Sequence, residues 1–115
     1  MYGNLTMLDG AAALNDWYRL YLVPGAGHCS PNSYEPNGPF PQTNLQVIIN
    51  WVEKGIVPTT LNATHLAGDM IGSNAQICAW PYRPLYANAT QSCVFDQKSY
   101  KTWIYDLNAF DIEVY

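Results

Sequence analysis

Trp17-Tyr18-Arg19-Leu20-Tyr21-Leu22-Val23 runs directly into Pro24-Gly25-Ala26-Gly27-His28-Cys29. In an extended chain Tyr18, Leu20 and Leu22 point to one side, and Trp17, Arg19, Tyr21 and Val23 to the other. Near-continuous apolarity on both sides predicts a strand covered on both faces, the pattern of parallel sheets in α/β proteins. Pro24 and the two glycines end that strand and let the backbone turn sharply.

Downstream, residues 29–42 are rich in Pro, Asn, Ser and Gly and carry no core-forming pattern, so a long loop is expected. Thr43 followed by Gln46 then predicts a capping box at the start of a helix. Leu45, Ile48, Ile49 and Val52 recur at helical spacing and Trp51 widens the apolar face. Gly55 supplies the stop, with Pro58 just beyond. Upstream, Leu5, Leu8, Ala11, Ala12 and Leu14 give a weak helical pattern interrupted by Gly10. Residues 59–95 read as mostly irregular, with short strands near Leu66–Ile71 and Cys93–Phe95. The tail, with Tyr100, Trp103, Ile104, Leu107 and Phe110, reads as a helix or a packed extension.

Composition narrows the function. The chain has 115 residues, of which 49% are hydrophobic and only 12% charged. Soluble domains ordinarily carry about twice that charged fraction. Disorder is excluded, because it goes with low hydrophobicity and high charge. Five Lys and Arg against nine Asp and Glu give a net charge of -4, which argues against nucleic acid as a partner. No apolar run is long enough to span a membrane. Nine Tyr, four Trp and three Phe are hard to bury in so short a chain, so we read it as a piece of a larger fold.

The sequons at Asn4, Asn62 and Asn88 point to glycosylation and secretion. Cys78 and Cys93 bracket a Pro-, Tyr- and Asn-rich loop at a spacing that suits a local disulfide, or else two buried thiols. Cys29 is left over, and in a secreted protein an odd cysteine implies a partner outside the visible sequence. Zinc is a poor explanation for the three, since no Cys-x-x-Cys or His-x-x-x-His spacing is present. No secretory signal opens the chain, so the expected N-terminal portion lies elsewhere.

The order strand, glycine turn, histidine, long loop and helix is that of the histidine segment in the α/β-hydrolase fold, where the triad runs Ser, Asp or Glu, then His. His28 occupies that place. A loop-borne imidazole of pKa near 6.5 can take a serine's proton and return it to a departing alcohol. Taken alone, a histidine in a glycine turn is more often structural. His65 lacks such a setting and reads as a surface or loop residue.

Leu22-Val23-Pro24-Gly25-Ala26-Gly27-His28-Cys29, then Trp51-Val52-Glu53-Lys54-Gly55-Ile56-Val57-Pro58, then Cys78-Ala79-Trp80-Pro81 closely resemble the C-terminal part of the tannase and feruloyl esterase family. The resemblance runs from about Trp17 to Phe95. It implies the last strand, histidine loop and late helix of an α/β-hydrolase core, incomplete on its own, with residues 96–115 a tail outside the motif. It implies cleavage of phenolic-acid esters by a Ser-Asp-His acyl-enzyme mechanism, with His28 as general acid/base. Cys29 would be half of a disulfide to a cysteine beside the catalytic serine, outside this chain, and Cys78 and Cys93 would match the family's C-terminal pair. The implied partner is the portion carrying the serine and aspartate.

The chain contains no Gly-x-Ser-x-Gly, and Ser30 belongs to the histidine side of the pattern. Asp9 and Asp16 alone precede the histidine, and neither is assigned as the triad acid. No cofactor is expected in this chain, because the family's calcium site would lie in a lid domain. Alone, the chain should be inactive. Aromatic enrichment also permits a small disulfide-stabilised carbohydrate-binding module, and a separately encoded partner chain is a third arrangement.

Overall fold

The computed structural model describes residues 6–88 and 90–101. Helix α1 (Met7–Leu14) is followed by strands β1 (Ala26–Gly27), β2 (Ser30–Pro31) and β3 (Pro39–Pro41). Helix α2 (Asn44–Lys54) leads to β4 (Thr60–His65), β5 (Asn74–Cys78), β6 (Arg83–Ala87) and β7 (Thr90–Val94). These strands form three small antiparallel sheets in the orders β1-β2, β3-β4-β5 and β6-β7.

The centre is the β4–β5 pair. Leu61, Ala63 and His65 alternate with Thr60, Asn62 and Thr64, and period two sends one set inward. Ala63 lies directly opposite Ala75, and with Ile77 they form the buried cluster against which Tyr21, Val23 and Leu61 pack. Residues 59–95 are therefore not mostly irregular. The segment 66–71 expected as a strand is the turn of this hairpin, closed by Gly72 N–H to His65 O at 2.8 Å. The expected strand at Cys93–Phe95 is the end of β7.

A second hairpin, β6–β7, joins β5 through side chains. Cys78 and Cys93 form a disulfide. The Gln91 amide accepts from Gln76 N–H at 3.0 Å and donates to the Gln76 carbonyl, standing in for a strand's peptide group. Asp96 then starts a helical turn over 97–101, accepting from Ser99 N–H at 2.7 Å. Tyr100 packs against Trp80 and Phe95. Trp103, Ile104, Leu107 and Phe110 lie outside the described residues, as does Leu5.

Residues 17–23 depart from the two-faced strand. Among the described residues the segment makes one antiparallel bridge, Tyr21 to Ala79, with Trp80 N–H donating to Leu20 O at 2.8 Å. Tyr21 and Val23 pack against the β4–β5 cluster, and Leu22 is half-buried. Trp17 and Tyr18 are 67% and 54% exposed, and Leu20 is exposed as well. Arg19 is held by Asn15 O and Pro58 O at 3.1 Å each, with its guanidinium over the Trp51 ring.

Helix α2 begins and ends where the sequence predicts, but its start is not a capping box. Thr43 sits in the left-handed region, φ 57°, and makes no side-chain cap bond. Gln46 reaches forward to Asn50 instead, at 3.1 Å. Gly55, at φ 65°, ends the helix, donating its N–H to Trp51 O at 3.1 Å. The predicted apolar face is largely uncovered, with Leu45 and Val52 73% and 77% exposed, and Val47, Ile49 and Trp51 are half-buried. By contrast α1 is capped, Thr6 Oγ1 accepting from Asp9 N–H at 3.2 Å.

Two outcomes are expected. The disulfide closes a loop of 15 residues, worth about 3 kcal/mol by loop-closure entropy. Replacing both cysteines by alanine should lower amide-exchange protection across residues 83–94 by about a hundredfold. Burial pushes the Tyr21 phenol above its ordinary value, and neighbouring Arg19 partly offsets this. The folded form therefore holds this proton longer, so its stabilising contribution is full below about pH 10 and declines as pH rises through the folded value. Tyr21→Phe should make the alkaline loss of thermal stability shallower.

Candidate active site

His28 is placed by a small hairpin. β1 pairs with β2 in the register Ala26 with Pro31 and Gly27 with Ser30, so His28 and Cys29 are its two-residue tip. Cys29 occupies the left-handed region at φ 57°, a conformation that costs a non-glycine residue about 1–2 kcal/mol. Gly25, also left-handed at φ 72°, turns the chain into the hairpin. Its carbonyl accepts from Asn32 N–H at 3.3 Å, closing the base.

The imidazole at this tip is exposed, and no hydrogen bond to it is made among the described residues. The Cys29 thiol is free and exposed, and Ser30 is exposed in β2. Asp9 is occupied in capping α1, its carboxylate accepting from Thr6 Oγ1 at 2.6 Å, and Asp16 is exposed. The structure therefore does not bring either carboxylate to His28. His28 is thus a projecting imidazole with no hydrogen-bond partner among the described residues, next to a free thiol.

The remaining sequence-derived sites are spread over the chain. Cys78 and Cys93 are joined to each other, as above. Asn62 is exposed on β4, and Asn88 is exposed at the β6–β7 turn with φ 49°, a region asparagine tolerates better than most residues. Asn4 lies outside the described residues. Among the described residues no three His, Cys, Asp or Glu side chains converge to hold a metal ion.

His65 is the residue that sequence reading misplaces. It is a buried strand residue, 6% exposed, with Nδ1 2.8 Å from the Asn37 carbonyl oxygen. A carbonyl only accepts, so Nδ1 carries the proton. The signal for its burial is the alternation of Leu61, Ala63 and His65 with polar neighbours. His65 also lies on the wall of a mainly apolar cavity of 660 Å³, together with Leu22, Ile77, Trp80, Tyr86 and Tyr100. His28 is not on that wall.

Comparison with known proteins identifies the family. Residues 1–102 match the family model described as tannase and feruloyl esterase. A tannase of Aspergillus oryzae is 46% identical over 116 residues, covering 100% of this chain and 20% of that protein. A probable feruloyl esterase of Arthroderma benhamiae is 35% identical over 83 residues, covering 69% of this chain and 15% of that protein. Among solved structures, tannin acyl hydrolase from Aspergillus niger superposes with a TM-score of 0.77 at 58% identity, covering 100% of this chain and 21% of that one. The chain thus spans about a fifth of the tannases it matches, and its mixed helix-and-sheet structure is shared with one of them. It belongs to the tannase and feruloyl esterase family.

Proposed function

We propose that this chain is the C-terminal part of an α/β-hydrolase core and supplies the histidine of a carboxylic ester hydrolase acting on phenolic-acid esters. The observation that carries the proposal is the exposed imidazole of His28 at a hairpin tip, within the residues that match the family. A serine in the remaining polypeptide attacks the ester carbonyl while His28 takes its proton. The tetrahedral oxyanion collapses, His28 returns the proton to the departing alcohol, and an acyl-enzyme is left. Water, deprotonated by His28, attacks the acyl carbonyl, and His28 passes that proton to the departing serine oxygen as the phenolic acid is released. The triad acid and the oxyanion-hole donors belong to that same remaining part, as does the family's calcium site in the lid.

Cys29 forms a disulfide to the cysteine beside that serine, holding the two loops together. The free, exposed thiol supports this reading. The protein is secreted and glycosylated at Asn4, Asn62 and Asn88, an assignment supported by the Cys78–Cys93 disulfide and its oxidising compartment. Membership of an esterase family favours this reading over a carbohydrate-binding module.

In the full-length polypeptide carrying this segment, His28→Ala should lower kcat on feruloyl, coumaroyl or galloyl esters by about 10³-fold or more with folding intact. Unchanged turnover removes His28 from the relay. In that same polypeptide Cys29 should resist alkylation until reduction, and reduction should abolish turnover. Peptide mapping that joins Cys29 to Cys78 or Cys93 counts against the bridge.

A further inference from the structure

We infer that His65 is a positioning residue for the His28 hairpin, acting through the turn at residues 35–38. The inference rests on the reading of His28 given above. Its basis is a continuous line of contacts that begins in the buried sheet and ends at the hairpin's base.

His65 is fixed first. Its backbone lies in β4, opposite Pro39 of β3, with its N–H bonded to Ser73 O at 3.0 Å and its carbonyl to Gly72 N–H at 2.8 Å. The ring is buried and donates from Nδ1 to the Asn37 carbonyl at 2.8 Å. On its other side the Asn37 side chain lies against Gly68, where an added methyl group would collide with the amide oxygen. Asn37 is thus gripped by its main chain and its side chain.

The next link has no slack. Gly38 follows Asn37 and rests directly on the stem of the His28 hairpin. A methyl group at Gly38 would stand 2.5 Å from the Gly25 carbonyl oxygen and 2.7 Å from that of Pro24. Two peptide groups therefore touch with no side chain between them, and movement of one displaces the other. The same Gly25 carbonyl accepts the Asn32 N–H that closes the hairpin. From there the chain runs through Ala26 and Gly27 to His28. A tip that carries no hydrogen bond of its own among the described residues takes its position from its base.

Misplacing a reacting group by about 1 Å costs on the order of a hundredfold in rate. The test uses the full-length polypeptide, with soluble folding checked by thermal melting. His65→Leu, which fills the space without a donor, should lower kcat by about ten- to a hundredfold with KM changed less than about threefold. His65→Gln, which offers a side-chain N–H to the same carbonyl, should recover most of that loss. Gly38→Ala, which forces apart the turn and the hairpin stem, should reproduce the kcat loss and keeps the test open should His65→Leu not fold. Combining His65→Leu with His28→Ala should add nothing to the loss from His28→Ala alone. A full kcat in His65→Leu or Gly38→Ala, or no recovery with His65→Gln, overturns the inference while leaving His28 in place. Full turnover in His28→Ala overturns the underlying reading instead.

Discussion

The close pairing of β4 with β5 is the contact on which the rest depends. Ala63 faces Ala75 across the ladder, and two side chains this small let Tyr21, Val23 and Leu61 settle onto the sheet. Packing density in protein interiors leaves little room at such a site. Several other elements attach to this pair. The segment at Tyr21 bridges Ala79 just beyond β5, β3 lies along β4, and the disulfide leaves from Cys78. The core is small, and large apolar side chains such as Trp17, Leu45 and Val52 remain at the surface. Helix α2 and the segment from Trp17 to Leu20 both leave their outer faces uncovered among the described residues. Those faces are where the sequence carries its densest apolar patterning.

The sequence made some of this legible because local chemistry decides it. Helix α2 follows from apolar residues at helical spacing and from a glycine that can take the left-handed angle at its end. The turn before His28 follows from Pro24 and the two glycines after it, whereas the small hairpin that it opens lies in a stretch that reads as loop. The Cys78–Cys93 spacing suits the bridge that forms. Other features depend on contacts that spacing does not encode. Thr43 suits a helix cap, yet its backbone is turned to φ 57°, which removes the geometry a cap requires. The strands at residues 60–65 and 74–78 are short and rich in Ala, Thr, Asn and Gln, so their apolar content is too low to stand out although their alternation is regular. For 17–23 the apolar pattern describes a strand covered on both faces, whereas Trp17, Tyr18 and Leu20 are exposed among the described residues.

The candidate site divides in the same way. His28 is read from its neighbours in sequence, a glycine turn and the loop after it, and its imidazole is exposed at the β1–β2 tip. His65 is set by a residue 28 positions earlier, the hydrogen-bond acceptor Asn37, and no local pattern reveals that pairing. A histidine in a polar-looking stretch is readily taken as solvated. Its burial becomes plain only when β4 is seen to turn alternate side chains inward beside Ala63. The two histidines thus occupy opposite roles in one structure, one projecting from a glycine-edged tip and one held inside the sheet by a main-chain oxygen.

The attachment of the β6–β7 hairpin carries a further implication. Gln91 and Cys93 are two apart on β7 and so share a face, and both engage β5, at Gln76 and Cys78. Sliding β7 by a single residue would swing both away together. An amide and a sulfur bridge, unlike in chemistry, therefore enforce the same alignment, and the hairpin is keyed to the sheet at one setting without a backbone ladder between them.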